Sequence, residues 1–179
     1  MGTPGAGGKA PDIMVQYFFA VIHRKGVEEP EISRILADAF GPLEDFSEAY
    51  PFNQTDYYTP EMGPDLFRTF FVLKKLSRDH ELARFKEGAV QMEKAFFSIS
   101  GKRSVNLDPG YLDAVKVVLA STKHGGHKIA LTDRIYADIV LDYYKGAFRP
   151  FDWTFPDFRS GVYFPLLEKI RRFYLQKAR

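Results

Sequence analysis

Residues 14–22 read "MVQYFFAVI", a nearly unbroken apolar run rich in aromatic and β-branched side chains. Such a run needs cover on both faces, as a strand central in its sheet receives from layers packed above and below. The segments that follow must supply that cover. In "EEPEISRILADAFGP", Ile32, Ile35, Leu36, Ala39 and Phe40 recur at helical spacing, Pro30 suits the first turn, and Gly41-Pro42 stops the helix. Residues 43–50 read as a short strand. "LFRTFFVLKK" at 66–75 reads as a longer one, with Phe67, Phe71 and Leu73 on one face and Phe70 and Val72 on the other.

A second helix is predicted from Ser77 or Asp79, either of which can cap it, to about Phe97. Leu82, Phe85, Ala89, Met92 and Phe96 form its apolar stripe, and its charged side faces solvent. "KRSVNL" at 102–107 supplies the next strand. The resulting order β-α-β-β-α-β is that of the ferredoxin-like split motif. Beyond it, Asp108 as cap and Pro109 at the first position predict a third helix carrying Leu112, Val115 and Leu119, halted at Gly125-Gly126. "HKIAL" and "RIYADIVLDYY" predict a hairpin turning at Thr132-Asp133. "FRPFDWTFPDFRS" at 148–160 is too Pro-rich for regular structure, and "VYFPLLEKIRRFYLQKAR" closes the chain as an amphipathic helix. The expectation is a single α+β domain over 13–179. Its first half is ferredoxin-like βαββαβ, extended by a helix, a β-hairpin and a C-terminal helix.

Composition narrows the functional classes. With 179 residues, 17 Phe and 10 Tyr, the chain can bury an aromatic core without staples. There is no cysteine, which excludes thiol catalysis, zinc–thiolate sites and iron–sulfur clusters and fits a reducing cytoplasm. No apolar stretch approaches the roughly eighteen residues of a membrane span. A net charge of +2 gives no global attraction to nucleic acid or anionic lipid.

The opening "GTPGAGGKAP" invites comparison with a phosphate-binding P-loop, G-x-x-x-x-G-K-[ST]. Thr3 stands where the first Gly belongs, Ala10 replaces the magnesium-binding hydroxyl, and no strand precedes the segment. Residues 1–12 instead read as a disordered Gly/Pro/Ala leader.

The candidate chemistry lies elsewhere. The loop "YPFNQTDYYTPEMGPD" runs roughly fifteen residues, long for a strand-to-strand connection. Its Asp56, Tyr57, Tyr58 and Glu61 suit a polar ring or ribose, while turn chemistry accounts for Asp56 without any ligand. In "NLDPGYL", Asn106, Asp108 and Tyr111 flank an expected helix N-terminus that favours anions, unless Asp108 simply caps it. Lys123, His124 and His127 surround the Gly-Gly break, where backbone can approach a ligand and lysine can meet phosphate. This cluster ranks first among the candidate sites. Two histidines alone do not make a metal site, and adding Asp133 and Asp108 would require the fold to join distant segments. Phe151, Trp153, Phe155 and Phe158, interleaved with Arg149 and Arg159, can stack bases or lid a core.

Four stretches together carry a resemblance: "FNQTDYYTPEMG" (52–63), "RSVNLDPGYL" (103–112), "STKHGGHKIALTDRIYADIVL" (121–141) and "FRPFDWTFPDFRS" (148–160). The chain resembles the bacterial family known as domain of unknown function 4416 from residue 13 onward. The resemblance implies a small stand-alone protein and brings no activity with it. The family's usual His-Arg-Ile-Tyr-Leu reads His127-Lys128-Ile129-Ala130-Leu131 here, so a cation beside the histidine is kept and the tyrosine is not.

The functional expectation is a cytoplasmic protein that binds a small phosphorylated ligand such as a nucleotide. Asp56, Tyr58, Asn106, Asp108, Tyr111, Lys123, His127, Asp133 and Arg159 are the candidate binding residues. If hydrolysis or transfer occurs, His127 is the candidate base and Lys123 the stabiliser of negative charge. The alternatives are a non-enzymatic RNA- or protein-binding module built on residues 148–160, and an oligomer subunit pairing through a sheet edge.

Overall fold

In the computed structural model, residues 12–96 and 102–179 are described. The leader expected at 1–12 lies outside them except for Asp12, which pairs with Arg78 at 2.9 Å. The end of the second helix expected at Phe97 also lies outside.

The elements are β1 (Met14–Arg24), α1 (Glu29–Phe40), β2 (Leu43–Phe46), β3 (Tyr50–Pro51), α2 (Thr59–Met62), β4 (Leu66–Leu73) and β5 (Ser77–Arg78). There follow α3 (Leu82–Glu93), β6 (Val105–Leu112), β7 (Lys116–Ser121), β8 (Ile129–Ala130), β9 (Tyr136–Tyr144), β10 (Ala147–Pro150), α4 (Pro156–Arg159) and α5 (Phe164–Lys177). The fold is mixed α and β. Among the described residues the strands form one sheet in the order β10-β9-β7-β6-β1-β4-β2, with β3 on β4, β5 on β1 and β8 on β9. Every pairing is antiparallel.

The apolar run of β1 is central, between β4 and β6, and Val15 to His23 are all buried. On one face Tyr17, Phe19 and Val21 pack against Ile32 and Leu36 of α1 and Leu82, Phe85 and Ala89 of α3. Tyr17 stacks on Phe85 at 4.1 Å between ring centroids. On the other face Phe18 and Ala20 meet Leu167 and Ile170 of α5, with Phe70 and Tyr163 between. Helix α1 ends where expected, at Gly41, whose φ of 102° is open to glycine and whose N–H returns to the Ala37 carbonyl.

Several expectations are corrected. Neither Ser77 nor Asp79 caps α3 with its side chain, because Ser77 and Arg78 pair with β1 as β5 and a 3-10 turn, Asp79–Glu81, leads into the helix. The Pro-rich segment after Phe148 contains regular pieces, the end of β10 and the single turn α4. The larger correction concerns the third helix, which does not form. Residues 105–112 continue as β6 straight through Asp108-Pro109-Gly110, and "KVVLAS" is the strand β7. Sheet pairing overrides the apparent capping signal for two reasons. The β-branched run Val115, Val117 and Val118 favours a strand. Gly110 lets β6 close on β7, since a Cβ there would stand 2.6 Å from both Leu119 Cδ2 and the Val118 carbonyl oxygen.

Candidate functional site

The β6–β7 ladder is short, running only from Gly110↔Leu119 to Leu112↔Val117. Pro109, next in register, has no N–H to extend it. Past that point β6 pairs only with β1, and β7 only with β9. A cavity of about 390 Å³ lies between the unpaired segments, bounded by Asn106 and Asp108 on β6 and by Leu119 to Lys123 on and after β7. Helix α3 contributes Lys86, Val90 and Glu93 from one face of the sheet. Arg68 of β4 and residues Phe155 to Asp157 enter from the other, and Thr55, Tyr57 and Tyr58 complete the wall.

The interior is ionic and internally matched. Lys86 donates to the Leu107 carbonyl at 2.8 Å and to Asp108 Oδ1 at 3.0 Å, while Asn106 Nδ2 donates to Asp108 Oδ2 at 2.7 Å. Burial opposes ionisation of Asp108, but Lys86, Arg68 and Asn106 outweigh it and hold its carboxyl below the usual range. Glu93 accepts the Leu107 N–H and an Arg103 Nη1 proton, both at 2.8 Å. Here burial wins over Lys86 and Arg103, and the Glu93 carboxyl is pushed above its usual range. Arg103 also grips Glu61 of α2 with two bonds, at 2.7 and 2.8 Å, and donates to Asn106 Oδ1 at 3.0 Å. The hydrogen bonds from Arg103 lower the Glu61 pKa in turn. Arg68 is buried, with Nε 3.0 Å from Asp157 Oδ2 and its guanidinium 5.1 Å from the Phe52 ring and 5.5 Å from that of Phe158.

The mouth differs. The Lys123 ammonium donates to the Tyr57 hydroxyl and lies 3.8 Å from that ring's centroid. Among the described residues no carboxylate pairs with it. Lys128 donates to Ser121 Oγ at 3.0 Å and to the Lys123 carbonyl at 3.3 Å, with Asp138 Oδ2 at 3.6 Å and the Phe155 ring at 5.6 Å. Tyr57 and Phe155 are exposed aromatics here, whereas burial raises the pKa of the Tyr58 hydroxyl.

With this geometry in place, comparison with known proteins gives one match, between residues 13–174 and the family described as domain of unknown function (DUF4416). The chain belongs to the DUF4416 family. The matched span contains every cavity residue described above, and no curated protein or solved structure matches.

Of the nine candidate binding residues, the DUF4416 fold brings Tyr58, Asn106, Asp108 and Lys123 to the cavity wall, with Tyr57 and Phe155 beside them. The others do not line it. Asp56 is exposed, and its carbonyl accepts the Thr59 N–H. Tyr111 lies on the α3 face, edge-on to Tyr17 at 5.7 Å, and burial pushes its hydroxyl up to about 12. Asp133 sits at the exposed hairpin turn beside Arg134, and Arg159 donates to the carbonyls of Phe151 and Asp152. His127 stacks on Trp153 at 5.2 Å, its Nε2 3.4 Å from the buried Asp138. His124 stands edge-on to Tyr136. Among the described residues no group of three or more His, Asp or Glu is placed to hold a metal, and no helix is long and apolar enough to cross a membrane. Of the aromatic segment, Phe158 belongs to the core, and Trp153 stacks on Phe151 while donating to the Ile139 carbonyl at 3.0 Å.

Sequence reasoning missed Arg68, Lys86, Glu93, Arg103, Lys128 and Asp157 of this DUF4416 chain. Two signals were available. Arg68 is a charge within a strand that is apolar but for Thr69, and Lys86 and Glu93 share helical spacing with the buried Leu82 and Ala89, so the α3 charges are not all solvated as expected.

Proposed function

We propose that this is a cytosolic protein that binds a small phosphorylated molecule, such as a nucleotide, in the cavity between β6 and β7. The observation that carries the reading is the Lys123 ammonium at the mouth, which has an aromatic hydroxyl and ring for company but no carboxylate partner among the described residues. The lining has five cationic side chains, Arg68, Lys86, Arg103, Lys123 and Lys128, against three carboxylates, Glu93, Asp108 and Asp157. Each carboxylate pairs with one of the first three cations and Lys128 faces the buried Asp138 at 3.6 Å behind the wall, which leaves Lys123 in surplus among the described residues. The Thr122 hydroxyl adds a donor there. At about 390 Å³ the cavity falls within the range typical of small-molecule sites.

The β6-β1-β4-β2 half, with α1 and α3 on one face, supports a ferredoxin-like reading of the framework. If the ligand reacts by hydrolysis or transfer, Lys123 is placed to stabilise negative charge at the phosphate. His127 lies outside the lining and takes no part in this reading. RNA or protein binding through residues 148–160 finds less support, because Trp153 is already stacked on Phe151 and His127.

Thermal melting against nucleotides, sugar phosphates and inorganic phosphate tests the reading. A ligand at about a hundredfold over its Kd stabilises by about 2.7 kcal/mol. That shift is expected from a phosphorylated compound and is expected to vanish in Lys123→Ala. No shift from any of them, or one that persists in Lys123→Ala/Lys128→Ala, overturns the reading.

A further inference from the structure

The cavity has a chemical polarity. Its interior cations are committed: Arg68 to Asp157, Lys86 to Asp108, and Arg103 to Glu93 and Glu61. A phosphate driven inward would meet carboxylates whose cations are already engaged, in a low-dielectric site where like charges repel strongly. Among the described lining residues only the mouth holds unmatched positive charge, on the exposed Lys123, with Lys128 beside it and facing Asp138 at 3.6 Å.

Inside, the donors and acceptors suit hydroxyl groups. Asp108 is held as a carboxylate with Lys86 on one oxygen and Asn106 on the other, and each oxygen keeps further acceptor capacity. Asn106 Nδ2 carries a second N–H beyond the one given to Asp108. An ionised carboxylate beside an amide is the pairing that recognises adjacent sugar hydroxyls, as carboxylates do with ribose in dinucleotide sites.

We infer that the cavity takes its phosphorylated ligand hydroxyl end first, a vicinal diol held by Asp108 and Asn106 while the phosphate stays at the Lys123–Lys128 mouth. The ligand class is therefore a phosphorylated sugar, free or as part of a nucleoside monophosphate. This rests on the phosphate-binding reading above and adds a direction and a recognised group to it.

Calorimetric titration of the full chain with ribose 5-phosphate, 2-deoxyribose 5-phosphate, AMP, 2′-deoxy-AMP and inorganic phosphate tests it. Ribose 5-phosphate or AMP should bind at least about tenfold more tightly than its deoxy counterpart, the loss expected for one hydrogen bond to a charged acceptor. Inorganic phosphate should bind most weakly. Whichever pair binds more tightly assigns the source, free sugar or nucleotide. Asp108→Asn should reduce the deoxy discrimination while phosphate binding persists. The comparison in the unmodified chain stands even if that variant fails to fold. Equal affinity for each compound and its deoxy form, with binding still lost in Lys123→Ala, overturns the diol assignment and leaves the phosphate site in place. No binding of any phosphorylated compound overturns both.

Discussion

Lys86, on the buried stripe of α3, donates to Asp108 on β6 with 3.0 Å between Nζ and Oδ1. The lysine side chain is only 6% exposed, and the pair ties the helix to the strand that walls the cavity. Breaking a buried pair by removing one partner leaves an uncompensated charge, at a cost of about 3–5 kcal/mol. Lys86→Met is expected to lose about that much in urea unfolding at neutral pH, and Lys86→Met/Asp108→Leu to recover much of it. The folded-state pKa of Asp108 is depressed, so its contribution is present above the ordinary carboxylate range and is lost as pH falls through the folded value. The deficit of Lys86→Met should therefore shrink in acid. A deficit that stays constant down to pH 3 would mark lost packing rather than lost charge.

Glu93 predicts the opposite pH dependence. Burial raises its folded-state pKa, so the native state holds the proton more tightly than the unfolded chain does. Its contribution is greatest in acid and is lost as pH rises from the ordinary carboxylate range through the raised folded value. Glu93→Gln keeps an acceptor for the Leu107 N–H and removes the titration. In urea unfolding followed from pH 4 to pH 7.5, the unmodified protein should lose stability relative to Glu93→Gln. If it gains instead, the Arg103 ion pair dominates over burial.

What the sequence made legible follows from how local each signal is. The β1 run, the α1 period with its Gly41 stop and the β4 alternation depend on neighbours a few residues away, and each appears close to its expected bounds. Asp108-Pro109 misled because the same residues that open a helix also fit a strand once Gly110 admits the neighbouring backbone, and that neighbour comes from β7. The site was legible only in part for the same reason. Lys123 and Tyr58 stood out by composition. Arg68 meets Asp157, and Arg103 meets Glu61, only after the sheet has assembled. Periodicity places Lys86 and Glu93 on the buried side of α3, but what they pair with is set by β6 and the segment leading into it.

Gly110 sits in the last β6–β7 pair before the cavity opens, and the space it leaves is small. An added methyl would meet the Val118 carbonyl oxygen, which is backbone and cannot rotate away, as well as Leu119 Cδ2, both at 2.6 Å. Overpacking of this kind costs about 1–3 kcal/mol, so Gly110→Ala should be destabilised by that amount in chemical unfolding. Relief requires the strands to part, so amide exchange should accelerate at Tyr111 and Val118, whose N–H groups face across this short ladder. Gly126→Ala is the control, since a Cβ there meets nothing within 4 Å, and surface changes of that sort stay within about 0.5 kcal/mol. Equal stability of the two variants would show that β7 yields without cost at Gly110. The wedge between β6 and β7 would then owe its position to Pro109 rather than to the close approach at Gly110.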